Sequence, residues 1–318
     1  FFFKQKTAYE IYQCDWSSDV CSSDLEDTIK QLLNLVMFCK KINIPFEVYA
    51  FSNCDCGITK YENKHGDMIL DNFQLLNVLS SRMTASEFAH AAGILLTYHK
   101  FHNHPRMFEM YGTPLNEAIV AAMDIVPQFQ KKHKLQVVNT VFLTDGEGQC
   151  STTIRGVKNN YQQGVMVIRD PVSKAEASMI QNNNNWGREL TATYIKLLKA
   201  RTNCNIVGFY IASRRDLANN AENFLEEKLR GRDADLIEKN TKINQMRQEF
   251  RTNHYVIVKS AGYDEYYILR SDKMDTADEV FEVKENASMR VLATAFSKYT
   301  ASKRSNRVVL SRFIDLIA

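Results

Sequence analysis

The feature that most constrains this chain is a run without a single charge, Val137 to Leu143 (VVNTVFL), that ends at Thr144-Asp145-Gly146. Apolar residues at successive positions leave a strand no solvent face, which is the pattern of a strand covered on both sides in a parallel sheet. A second run of the same kind is Asn205 to Ala212 (NIVGFYIA). Phe46 to Phe51 (FEVYAF) instead alternates, as a half-buried strand does. Asp67 to Val78 is a weaker strand pattern. Helical periods separate these runs. Glu26 to Lys41 puts Ile29, Leu32, Val36 and Cys39 on one face, with Glu26 and Asp27 early and Lys40 and Lys41 late, as the helix dipole prefers. Thr84 to His99 opens on the capping box Thr84 and Glu87. Leu115 to Phe129 carries Leu115, Ile119, Ala122 and Val126, and Glu189 to Ala200 is a further helix. Strands alternating with helices predict an α/β protein with a doubly wound, mainly parallel sheet and right-handed crossovers. Val137 to Leu143 should be its central strand, flanked by Phe46 to Phe51 and Asn205 to Ala212.

Outside that frame the pattern changes. Residues 149–185 read as an insertion on the sheet's rim, with Val165 to Ile168 pairing across Asn159-Asn160. Ser213 to Arg251 holds nine basic and eight acidic residues, the mark of a mixed-charge, solvated helical stretch that projects from the sheet. A hairpin over His254–Ser260 and Glu265–Arg270 turns at Ala261-Gly262. From Lys284 a basic tail of one or two helices follows. The expected organisation is a VWA/Rossmann-like domain over 26–212 with a helical and hairpin C-terminal extension over 213–318; the first name is justified below. No internal repeat is present.

Several classes of function are excluded by composition. With 45% hydrophobic and 24% charged residues the chain can fill a core, so it is neither disordered nor fibrous. Its apolar stretches are strand-sized, far short of a membrane span. A formal charge of +3 is too small to argue for nucleic acid, although the basic tail keeps that as a third reading. Seven cysteines scattered over a long chain are not a disulfide framework and fit a reducing, cytoplasmic setting.

Phe1 to Leu25 (FFFKQKTAYEIYQCDWSSDVCSSDL) has neither strand alternation nor a helical stripe, and no apolar core of a signal peptide. It resembles translated sequencing-adapter read-through, and the expectation is a non-native leader that replaces the natural beginning.

Chemistry in an open α/β sheet sits at the carboxyl ends of the strands. Two loops fit that place. In Gly112-Thr113-Pro114-Leu115, Thr113 would cap a helix whose first residue is Pro114. Thr144-Asp145-Gly146-Glu147 directly follows the most buried strand. Either alone is a routine helix start or turn; together, and in this order, they are not.

Here the sequence resembles the von Willebrand factor A (VWA) family, whose metal-ion-dependent adhesion site takes an Asp-x-Ser-x-Ser loop after the first strand, a Thr opening a later helix, and an Asp after the fourth strand. Thr113 matches the second element and Asp145 the third. The phrases YAFS, GTPLNEA and FLTDGE look most like the VWA subunit of cobaltochelatases, including the version common in tailed phages. The resemblance covers Asp27 to Ala212. It implies a Mg²⁺ or similar hard divalent cation held by Thr113 and Asp145, an acidic residue of a protein partner completing the metal's shell, and an AAA+ ATPase as that partner. The chain would then be a non-enzymatic interaction module. The first motif is absent: Asp19-Val20-Cys21-Ser22-Ser23 mimics it, but a soft thiol is a poor ligand for a hard cation, and no buried strand precedes it. The alternative reading is a metal-dependent hydrolase or peptidase; no base and nucleophile share a loop set to support it. Cys54-Asp55-Cys56 with Cys39 or His65 lacks zinc spacing, and His99, His102 and His104 read as ordinary core and loop histidines.

Overall fold

The computed structural model describes residues 7–13, 22–53, 64, 68–70, 73–98, 104–105, 108, 112–144, 153–154, 165–180, 186–226, 229, 235–259 and 262–270. Their strands are β1 (Thr7–Gln13), β2 (Phe46–Asn53), β3 (Met68–Ile69), β4 (Phe73–Ser80), β5 (Val137–Thr144), β6 (Thr153–Ile154), β7 (Val165–Arg169), β8 (Glu176–Ile180), β9 (Asn205–Ala212), β10 (Tyr255–Val258) and β11 (Glu265–Arg270). The helices are α1 (Ser22–Lys41), α2 (Ala85–Tyr98), α3 (Leu115–His133), α4 (Trp186–Thr202), α5 (Arg214–Asn220) and α6 (Leu236–Asn253).

Seven strands form one sheet in the order β10-β11-β9-β5-β1-β2-β4. The five from β11 to β2 are parallel, while β4 and β10 are antiparallel edges. A mixed-edge, parallel-centred sheet needs cover on both faces, and it has it. Leu32, Val36 and Cys39 of α1 and Phe88 and Leu95 of α2 pack with Val48, Val141, Val207 and Phe209 on one face. Ile119, Ala122 and Val126 of α3 and Tyr194 and Leu198 of α4 pack with Val138, Phe142 and Ile206 on the other. The alternation along β5, with Val141 and Val138 turned to opposite helices, is why its sequence shows no polar face.

Four expectations need correcting. The segment expected to contribute no element supplies β1, which lies between β2 and β5, with Ile11 opposite both Val48 and Val141. Thr7–Gln13 does alternate (Thr, Tyr, Ile and Gln against Ala, Glu and Tyr), but a central slot completed by backbone pairing on both sides tolerates so polar a strand where a lone reading does not. Consequently β5 is flanked by β1 and β9, with β2 one place further out. The weak strand over Asp67–Val78 resolves into the two-residue β3 and the eight-residue edge β4.

The third correction is on the rim. β7 pairs with β8, not across Asn159-Asn160, because the Asp170 carboxylate accepts the backbone N–H groups of Val172 and Ser173 and closes a tight turn between the two strands. The fourth concerns the charged stretch after Ala212. It does not project. Leu217 and Ala221, with Ile243, Met246 and Phe250 of α6, pack on Tyr210, Ala212, Val256 and Ile268. Apolar residues three and four apart make a narrow stripe that suffices to seat a helix whose remaining positions are charged. The hairpin β10–β11 forms as expected, yet it also extends the sheet, with β11 parallel to β9. The basic tail from Lys284 lies outside the described residues.

Candidate functional site

The carboxyl edge of the sheet is set by helix length. α3 ends at His133 and β5 starts at Val137, so the C-terminus of α3 lies at the amino edge. Nineteen helical residues span about 28 Å and eight strand residues about 26 Å. Running back along β1 and β5, against which it packs, α3 therefore brings its N-terminus level with Thr144, the last residue of β5. Thr113 lies just ahead of that N-terminus, and its residue is only 4% exposed.

Thr113 does not cap the helix as expected. Pro114 holds the N-cap position, with φ −76° and ψ 54°, and offers no side-chain acceptor. The carbonyl of Thr113 instead accepts from Leu115 N at 2.8 Å, and the carbonyl of Pro114 from Ala118 N at 3.0 Å. A tight turn ahead of the helix thus moves Thr113 one residue outside it. Asn116 and Glu117, in the first turn, are both fully buried. Asn116 Oδ1 accepts from Thr191 Oγ1 of α4 at 2.6 Å, which locks the start of α3 to α4. At the same edge Ser52, next to last in β2, is buried. Sequence reasoning passed over Asn116, Glu117 and Ser52. The signal was available: Asn116 and Glu117 are polar residues beside Leu115, Ala118 and Ile119 at buried positions of one helix, where polar groups are kept only with partners.

Asp145 follows Thr144 and lies outside the described residues, as do Gly146 and Glu147. Directly after β1 the sequence reads Cys14-Asp15-Trp16-Ser17-Ser18-Asp19, with Asp and Ser at the first spacing of the adhesion motif and Asp in place of its last Ser; residues 14–21 are likewise outside. Of the motif-like Asp19 to Ser23, Ser22 and Ser23 open α1. Among the described residues there is no group of three His, Cys, Asp or Glu that could hold a metal. The donors gathered at this edge, Ser52, Thr113, Asn116, Glu117 and Thr144, are all oxygen-bearing. They match the preference of a hard cation such as Mg²⁺ and not that of zinc.

The remaining candidates resolve otherwise. Cys39 is a buried free thiol whose ionisation burial pushes strongly upward, so it is inert packing. Cys54, Cys56, His65, His99 and His102 lie outside the described residues. The His104 ring stacks on Tyr98 at 3.8 Å. No helix among the described residues is long and apolar enough to cross a membrane.

Fold and site together define an α/β protein with a mostly parallel sheet and an oxygen-rich carboxyl edge. No protein-family model matches the chain, and no curated protein matches it. Among solved structures it is similar to the pilus adhesin SpaC from Lactobacillus rhamnosus GG, at 11% identity with a TM-score of 0.37, covering 66% of this chain and 25% of the adhesin. The open conformation of that adhesin gives 12% identity and a TM-score of 0.38, with 77% and 30% covered. The chain thus spans less than a third of the adhesin's length, and a likeness this slight carries no argument about family or function.

Proposed function

We propose that this chain is a VWA-like, metal-dependent protein-interaction module, with Thr113 and Asp145 among the ligands of a Mg²⁺ ion. The observation that carries the reading is the buried Thr113 at the carboxyl edge, one turn ahead of α3 and level with the end of β5. The strand order adds support: counting the sheet's main strands in sequence from β1, it runs 3-2-1-4-5-6 with an antiparallel third strand, plus the added edge β10. In such sheets ligands sit where the order reverses, beside the first strand.

Bound Mg²⁺ would supply a bridge, since a coordination position left open by the protein takes a carboxylate from the partner. The chain's own residues do the rest. Thr113 offers a hydroxyl from a position fixed by the Leu115–Thr113 turn, and the Asn116–Thr191 hydrogen bond holds the helix start in place. The phrases shared with cobaltochelatase VWA subunits make an AAA+ ATPase the proposed partner, in a chelatase-like complex inside the cell. No phosphate chemistry is assigned to this chain. The test against the hydrolase alternative is incubation of the full chain with Mg²⁺ or Zn²⁺ and generic peptides. The reading expects no turnover above background; metal-dependent cleavage that Thr113→Val removes would replace it with the enzyme.

A further inference from the structure

The amino edge of the sheet, opposite the site above, carries a concentration of positive charge that neither folding nor the proposed function uses. Two helices end there, each in a basic run: α1 in Lys40-Lys41 and α3 in Lys131-Lys132-His133-Lys134. They lie on opposite faces of the sheet, and the turn after β4 joins them. Lys40 Nζ donates to the carbonyl of Met83 at 2.7 Å. Arg82 in the same turn reaches the other way, to Glu47 at 2.9 Å, and its charge is felt by His133 at the end of α3. The result is a continuous band of Lys40, Lys41, Arg82, Lys131, Lys132 and Lys134.

The band is larger than folding requires. Its described carboxylates are two, Glu47 and Glu87. Glu47 is buried and accepts from Arg82 and Asn77; Glu87 is engaged by Thr84 through its backbone N–H and hydroxyl. That leaves an excess of four positive charges in a chain whose whole net charge is +3. Helix C-termini attract cations, but each is equivalent to only about half a negative charge. Two of them account for about one lysine. Lys131, Lys132 and Lys134 are exposed, and among the described residues none makes an ion pair. Lys134 is held outward by its left-handed backbone, φ 53°, at the close of α3.

We infer that this band is a docking surface for an acidic protein segment, rich in Asp and Glu. A carboxylate segment fits better than nucleic acid on three counts. Five of the six cations are lysines, and the one arginine is already committed to Glu47, whereas phosphate recognition favours arginine's fork. Phosphate sites also recruit backbone N–H groups at helix N-termini, and this edge presents helix C-termini. Finally, the nearby rings Phe88 and Phe129 are buried and offer no stacking platform. Such a surface would steer a partner by long-range attraction, independently of any metal at the far edge.

The experiment measures fluorescence anisotropy of a labelled twelve-residue Asp/Glu peptide, and separately of a DNA duplex, with the full chain at low salt. One variant carries Lys131→Glu, Lys132→Glu and Lys134→Glu. A second carries the same charge change elsewhere, at the exposed Lys174, Lys242 and Lys259. The expected result is a loss of at least about tenfold in peptide affinity for the first variant and little change for the second, with circular dichroism showing both folded. Equal loss in the two variants would reduce the effect to net charge and overturn the inference. Tighter binding of the duplex than of the peptide would overturn it in favour of nucleic acid.

Discussion

Replacing Asp170 should loosen the rim hairpin by an amount the structure allows one to work out. The Asp170 side chain is 2% exposed and accepts from Val172 N at 3.2 Å, Ser173 N at 2.8 Å, the Ser173 hydroxyl, and Arg201 Nη1 at 3.2 Å. Arg201, on α4, is itself 16% exposed and also meets Asp124 of α3. Breaking a buried pair by removing one partner costs about 3–5 kcal/mol, because the other charge is stranded. Here Arg201 keeps Asp124, which is 69% exposed and so a weak substitute; about 3 kcal/mol is therefore expected for Asp170→Ala. With a urea m-value of about 3 kcal/mol/M the unfolding midpoint should fall by about 1 M. The effect has a pH signature. Burial pushes the Asp170 carboxyl up, but hydrogen bonds from Ser173 and Val172 and the Arg201 charge more than offset this and hold it below its ordinary 3.8. A carboxyl depressed on folding contributes stability that is present above its unfolded value and lost as pH falls through its folded one. The gap between wild type and Asp170→Ala should thus be full at pH 6 and shrink below pH 3.8. A midpoint shift under about 0.2 M at pH 6, or a gap that does not change with acid, would refute the reasoning.

Gly208 on β9 sits beside Tyr266 on β11, and an added Cβ would come within 2.4 Å of that ring and 2.8 Å of the Tyr263 ring. Gly208→Ala should cost about 1–3 kcal/mol by overpacking, read by thermal unfolding; an unchanged midpoint would mean the two rings move freely. For His133, burial first and Lys132 next depress the imidazole below its ordinary 6.5. Its neutral form is the one the fold accepts, so stability should be full above pH 6.5 and decline below it. In His133→Gln that decline should be smaller, and equal declines in both proteins would remove His133 from the account.

Most of the sheet was legible because its central strands have no polar face: Val137–Thr144 and Asn205–Ala212 fall within a residue of their expected bounds. Helix starts were legible where a side chain caps them. Thr84 N donates to Glu87 Oε2 at 2.8 Å, the reciprocal bond of the capping box. What was missed depends on partners distant in sequence. β1 is polar by itself and becomes a strand through β2 and β5. α6 looks solvated until Ile243, Met246 and Phe250 meet Tyr210 and Ile268. At the site, Thr113 was legible from the phrase GTPLNEA, but its place outside the helix was not. That follows from the Leu115–Thr113 turn, which local propensity does not encode.

Mg²⁺ binding measured by calorimetry tests the central claim most directly. Three chains are compared: the chain as it stands, one in which residues 7–21 are replaced by a buried strand with an Asp-x-Ser-x-Ser loop, and the latter with Asp145→Ala. The chain as it stands lacks the full motif, and a hydroxyl with one carboxylate does little to offset the dehydration of Mg²⁺. It should bind at about millimolar or weaker, the range of the weakest oxygen-ligand sites. The restored chain should bind at least about tenfold more tightly, and Asp145→Ala should remove that gain. Tight binding by the unaltered chain, or a restored chain indifferent to Asp145→Ala, would contradict the account.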